Sequence, residues 1–297
     1  MDPEVITVGL DGSPESLAAA QWGADEADRR NAVLRLLHAW ILLAAEAPGT
    51  PPDRDQNAAA RRIVDRAAEA VRERRPHLQI MEDLVGDEAE PALLRAAQES
   101  RMVVLGSRAL APWESFALGD VSLDVVGRAD GPVVLVRGAV HAEPPRPGRT
   151  EPPPVSEPRI VLGMSLHGPC DPLLAFAFDA ALSRGLPIQA VHGRALPVPA
   201  FVPWGIEPDV AEEVTREAAD ELREAVRPWR ERFPDVPVQL TVLLESPARA
   251  MIRAAPGAEL VAVGRRRHRR RLAPHVGPVA HAVIHHATCP VAVVPHD

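Results

Sequence analysis

VVLGSRALAPWESFALGDVSLDVVGRADGPVVLVR, residues 103–137, and VAVGRRRHRRRLAPHVGPVAHAVIHHATCPVAVV, residues 261–294, are two copies of one pattern. Each runs from an apolar strand ending in glycine, through a loop, to a second glycine that opens a helix, and closes on a proline-led apolar strand. Gly106 and Gly119 stand thirteen residues apart, and so do Gly264 and Gly277. Glycine at a strand end and at a helix start lets main chain approach a phosphate, whose charge the N–H groups of the helix N-terminus stabilise. The pattern recurs at an offset of 158 residues, so the 297-residue chain predicts two nucleotide-type α/β folds in tandem.

Working outward from these stretches, the rest of each half alternates strand and helix. Residues 5–10 (VITVGL) form a first strand, Asp11-Gly12 turns the chain, and Ser13 caps a helix with Pro14 at its first position and Glu15 in its first turn. A strand at 33–39, a loop around Pro48, Pro51 and Pro52, an Ala-rich helix from Gln56 to Arg75, a strand at 78–85 and a helix at 88–99 lead into the strand at 102–105. The order restarts with strand 160–164, helix 171–184, strand 187–192, helix 208–232, strand 237–243, helix 247–255 and strand 259–263. His38 and His192 fall at matching positions late in the second strand of each half. Alternation of this kind implies parallel sheets covered on both faces, with ligands at the carboxyl ends of the strands. Domain boundaries follow as 1–138, a linker at 139–158 with seven prolines, and 159–297.

Composition excludes whole classes of chemistry. There is no Lys, so all 33 basic residues are Arg, which removes the P-loop, the pyridoxal Schiff base and the kinase strand lysine. Net charge is −8, and the acidic excess sits in the first half, which argues against general nucleic-acid binding there. The acidic N-terminus and the lack of a long apolar run predict a cytoplasmic protein with no membrane segment. Cys170 and Cys289 are too few for a disulfide framework and read as small buried thiols.

VGLDGS near the start, the helix GDEAEPALLRAA, VVLGSR, Gly119 with Asp120, Val121 and Ser122, and the closing PVVLV resemble the universal stress protein family, twice over and across nearly the whole chain. That resemblance implies two open, parallel, five-stranded Rossmann-like sheets of order 3-2-1-4-5 with helices on both faces, of the adenine-nucleotide-binding type. It implies pairing of the two halves through their last strands as an internal pseudo-dimer, with a homodimer as a further expectation. It also implies a stress-response regulator that binds ATP, with magnesium, or another adenine nucleotide. The sequence has neither a G-x-S-x-G elbow nor a G-x-G-x-x-G fingerprint, so an enzyme is the weaker expectation. Carried over by position, Asp11 would accept from the adenine amine, while the backbone of Gly9, Leu10 and Asp11, with Ala39, frames the base. Leu105 and Gly106 would lie under the ribose, Arg108 beside the phosphates, and Gly119, Asp120, Val121 and Ser122 around the phosphate chain.

Two departures bear on that expectation. Ala109 replaces the second glycine of the family pattern, and Asp120 replaces a hydroxyl and brings negative charge toward a polyanion, unless magnesium bridges the two. The second half departs further. Ser165 stands where Asp11 stands, Arg267 where the second glycine would be, and Pro278 and Ala280 where hydroxyls would meet phosphate. The first half is therefore expected to hold whatever nucleotide site exists. The alternative is a ligand-free structural or partner-binding tandem.

Three other clusters carry expectations. Arg265, Arg266, Arg267, Arg269, Arg270 and Arg271 form an exposed loop that either grips an anionic partner or is simply solvated. His281 and His285, four apart on a helix, lack a third ligand and read as helix-face histidines, not a metal site. His38 and His192 have no nucleophile beside them, so packing or backbone bonding is their expected role, and no catalytic residues are assigned.

Overall fold

A computed structural model of the chain describes residues 3–41, 56–107, 121–138, 157–195, 201–202, 205–206, 208–267 and 276–297. Two compact units divide it, Met1–Pro147 and Gly148–Asp297. The proline-rich segment at 139–156, the loop around Pro48, and the loops 108–120 and 268–275 lie outside the described residues.

The first unit contains β1 (Val5–Gly9), α1 (Pro14–Arg30), β2 (Val33–Ala39), α2 (Gln56–Arg74), β3 (Ile80–Val85), α3 (Ala89–Glu99), β4 (Met102–Ser107), α4 (Val121–Arg128) and β5 (Val133–Arg137). Its strands run in the order β3-β2-β1-β4-β5, every pair parallel. Central strands in such a sheet are covered on both faces and so carry unbroken apolar runs instead of alternation. Ile6, Val8, Val103, Val104 and Val134 accordingly expose nothing to solvent. The edge strand β3 is half-open, with Met81 48% exposed, and its Glu82 and Asp83 are held by Arg72 and Arg35 from neighbouring elements. Charge on an edge opposes pairing with another strand.

The second unit contains β6 (Ile160–Gly163), α5 (Asp171–Arg184), β7 (Ile188–Gly193), β8 (Phe201–Val202), β9 (Gly205–Ile206), α6 (Pro208–Arg232), β10 (Val238–Leu243), α7 (Pro247–Ala254), β11 (Leu260–Arg266), α8 (Pro278–His286) and β12 (Val291–His296). Its main sheet runs β10-β7-β6-β11-β12, again all parallel. The two-residue strands β8 and β9 pair antiparallel and were not anticipated from sequence, being too short to carry periodicity. A pocket of three rings backs α6, where Phe178, Trp229 and Phe233 have centroids 5.5 to 6.1 Å apart.

Helix ends follow the local chemistry. Ser13 caps α1 by accepting from Ser16 N at 3.1 Å, with Pro14 at the first helical position, as the sequence predicted. Both α1 and α5 stop on a left-handed residue, Asn31 at φ 52° and Gly185 at φ 64°, which donate to equivalent carbonyls 154 residues apart, those of Ala27 and Asp28, and of Ala181 and Leu182. In each unit the first and fourth strands are neighbours although the chain leaves them in opposite directions across the sheet. The crevice outside their carboxyl ends is where this topology places ligands.

Candidate functional site

In the first unit the register sets Gly9 beside Leu37 on β2 and beside Leu105 on β4. Three strand ends therefore deliver Asp11, Ala39 and Gly106 to one edge of the sheet. Asp11 is exposed, and its Oδ1 accepts from Ser13 N at 2.9 Å and from Ser13 Oγ. That carboxylate thus orients the cap of α1. The Leu10 carbonyl accepts from His38 Nδ1 at 2.7 Å, which fixes the His38 tautomer with its proton on Nδ1, because a carbonyl only accepts. Leu105 is buried, Ala39 half-buried, and Ser122 Oγ reaches the Gly106 carbonyl at 3.5 Å from the first turn of α4. Val121 is 39% exposed. Gly9, Leu10, Asp11, Ala39, Leu105, Gly106, Val121 and Ser122 are thus at strand ends and a helix start of one unit. Arg108, Gly119 and Asp120, with Ala109, lie outside the described residues.

Gly106 has a structural reason to be glycine that the sequence does not reveal. A Cβ there would lie 2.5 Å from the Glu15 carbonyl carbon and 2.6 Å from Ser16 N, so the main chain of the first α1 turn occupies that space. Gly9 is similarly constrained, by the Leu105 and Leu93 side chains at 2.6 and 2.9 Å.

The second unit is built differently at this junction. His192 on β7 repeats His38, its Nδ1 donating to the Met164 carbonyl at 3.0 Å, so of the two expected roles, packing and backbone bonding, both histidines take the second. The helices end in register, yet α5 begins three residues later than α1 would place it, and it has 14 residues where α1 has 17. Almost a turn is unwound into the loop Ser165–Cys170. Cys170 precedes the helix with no side-chain cap bond, and Arg266 donates to the His167 carbonyl at 2.7 Å, fastening the loop to β11. With no helical turn above it, Gly264 faces a side chain: a Cβ there would meet His296 Nε2 at 2.6 Å. The unwound turn opens onto a cavity of about 650 Å³ whose lining includes Ser165, His192, Arg194, Met251, Gly264 and His296. Sequence reasoning missed this cavity. Its only trace was the longer run SLHGPCDP in place of DGSP.

The arginine cluster requires a correction. Arg265 is not part of an exposed loop: β11 continues to Arg266, in register with Pro295 and His296 of β12, and Arg265 is 6% exposed. Arg266 and Arg267 are exposed, and Arg269, Arg270 and Arg271 lie outside the described residues. The strand runs further than expected because β12 supplies it with a parallel partner over its whole length. Ala280, at a position where a hydroxyl would serve phosphate, is buried in the core, whereas its counterpart Ser122 is half-buried beside Gly106. Burial pushes the Cys170 thiol up to about 11, with the Asp171 charge adding to it, so at neutral pH it is an inert protonated group. The His281 and His285 rings lie 4.3 Å apart, and among the described residues no group of three or more His, Cys, Asp or Glu gathers as a metal site. Nor is any described helix long and apolar enough to cross a membrane.

Comparison with known proteins agrees with this geometry. A sequence profile of the Universal stress protein family matches residues 4–137 and again 158–295. The chain is 32% identical over 295 residues to universal stress protein Rv2005c of Mycobacterium tuberculosis, covering 97% of this chain and 96% of that one. It is 29% identical over 298 residues to a universal stress protein of Mycolicibacterium smegmatis, covering 97% and 96%. Among solved structures, a universal stress protein from Archaeoglobus fulgidus superimposes over the full length of both chains with a TM-score of 0.68 at 14% identity, a likeness of fold.

Proposed function

Because this chain belongs to the universal stress protein family in both of its halves, we propose that it is a stress-response regulator that binds an adenine nucleotide weakly, in its first unit. The proposed role is binding, not turnover. The observation that supports it is the convergence of Asp11, Ala39 and Gly106 at adjoining strand ends, with Ser122 reaching the Gly106 carbonyl from the start of α4. An exposed carboxylate beside the strand ends suits an exocyclic amine, and glycine main chain with a helix N-terminus suits phosphate. Arg108, Gly119 and Asp120 complete the proposed set, with magnesium as the ion that would bring Asp120 and the phosphates together. In the second unit Ser165 supplies no carboxylate and Ala280 is buried, which argues against such a set there.

Freshly purified protein is to be denatured and the released small molecules identified by mass; an adenine nucleotide at one per chain or less is the expected result. A second possibility draws on the Asp11–Ser13 bonds. If Asp11 serves only to orient the α1 cap, and Gly106 is glycine only to admit the Glu15–Ser16 main chain, the tandem is a ligand-free scaffold. Absence of released nucleotide together with no calorimetric heat on ATP addition would establish that alternative.

A further inference from the structure

We propose that the cavity of the second unit is a separate site for a small apolar carboxylate that also carries a hydrogen-bond donor, held by Arg194 and the paired histidines His192 and His296. At about 650 Å³ it is within the size range of small-molecule sites. Most of its floor is apolar, with Leu173, Val191, Met251 and Val263 all at most 2% exposed. Against that floor stand two imidazoles, His192 at 5% and His296 at 7% exposure. Each donates its Nδ1 proton to a main-chain oxygen, that of Met164 and of Asp297, both at 3.0 Å. In the neutral ring Nε2 is then a lone-pair acceptor, and neither Nε2 has a partner among the described residues. Two such acceptors on residues that line the cavity suit an occupant that brings an N–H or O–H.

The charge in the lining points to the rest of the ligand. Arg194 is half-buried, lines the cavity and pairs with no carboxylate among the described residues. Its backbone N–H donates to the Leu243 carbonyl at 2.9 Å, as that of Trp40 does to Val85 at 3.0 Å in the first unit, so the fold presents the two side chains at the same place. Where the first unit has Asp11 and Trp40, the second therefore has Ser165 and Arg194. That exchange replaces a carboxylate with a hydroxyl and an indole with a guanidinium, which turns the local preference from an amine toward a carboxylate. Glu221 is the one carboxylate among the described lining residues, and it is solvent-exposed, where its charge is screened. The site owes its room to the missing first turn of α5, which in the first unit sits directly on Gly106.

Indole-3-acetate has the required apolar body, carboxylate and N–H, and is the probe to titrate into the full chain by calorimetry. Naphthalene-1-acetate, which lacks the N–H, and tryptamine, which lacks the carboxylate, serve as controls. The expected result is one site per chain for indole-3-acetate, with both controls binding more weakly and saturating ATP failing to displace it. Arg194→Gln should weaken it roughly tenfold, and Ser165→Asp should weaken it as well while leaving the melting temperature near that of the parent. The proposal is overturned by no heat with indole-3-acetate, by equal affinity in both variants, or by equal affinity for naphthalene-1-acetate. Displacement by ATP overturns it too, and would assign the cavity to nucleotide. Failure of ATP to bind anywhere would remove the first-unit site and leave this titration unaffected.

Discussion

The junction from β1 to α1 and the junction from β6 to α5 begin alike and end alike but differ in between. In the first unit a carboxylate, a serine cap and a proline start the helix at once, and the first turn lies against Gly106. In the second, three additional residues delay the helix, no side chain caps it, and the space above Gly264 is filled by an imidazole. Strand order, the histidine-to-carbonyl bond and the left-handed helix stop are unchanged. The difference shows that the sheet and the helix ends can be retained while the ligand edge is rebuilt, because the crevice is set by a few residues outside the strands.

The largest effect should come from the two glycines under these junctions. Gly106→Ala forces a methyl into main chain that cannot yield locally, and should cost about 3 kcal/mol in chemical denaturation. Gly264→Ala meets side chains instead of main chain, the His296 ring at 2.6 Å and Leu173 Cδ2 at 3.3 Å, and should cost about 1 kcal/mol. An equal cost would mean that the two junctions are packed alike, contrary to what is described above.

Next come the matched histidines. His192→Ala should cost about 2 kcal/mol, because the Met164 carbonyl loses its imidazole donor in a buried setting. His38→Ala should cost about 1 kcal/mol, since His38 is half-buried and water can replace the bond. Thermal unfolding of both variants beside the parent measures the ratio; a larger loss from His38 would reverse the comparison.

Nucleotide binding sharpens the contrast at the level of about a factor of ten, or roughly 1.4 kcal/mol. ATP affinity in the first unit is expected at about tens of micromolar, with Asp11→Ala weakening it tenfold or more and Ser165→Ala leaving it unchanged. Asp120→Ser should tighten it by removing like charge. If that variant instead weakens binding when magnesium is present, Asp120 is a metal ligand.

The smallest effect concerns the caps. Ser13→Ala should cost about 1 kcal/mol through the lost bond to Ser16 N, measured by denaturant titration. Cys170→Ala removes no cap bond, so it should fall within about 0.5 kcal/mol unless packing of the thiol matters more than capping.

The sequence by itself determined the two five-stranded folds and the helix α1 with its Ser13 cap. Those features depend on neighbours within a few residues or on an apolar run buried on both faces, and such signals survive in a one-dimensional pattern. The proposed nucleotide set rests instead on the family resemblance that Asp11 and the two glycines of the first repeat carry. Only the tertiary structure decided that Arg265 is buried, that Gly106 faces the main chain of Glu15 and Ser16, and that the second unit opens a cavity between His192, Arg194 and His296. Arg265 reads as charged surface until β12 is laid beside it. The atoms opposite Gly106 come from about ninety residues away in the chain, and the unwound turn of α5 carries no periodicity of its own. What fills the space beside a residue is fixed by packing between elements distant in sequence, and no local pattern encodes that.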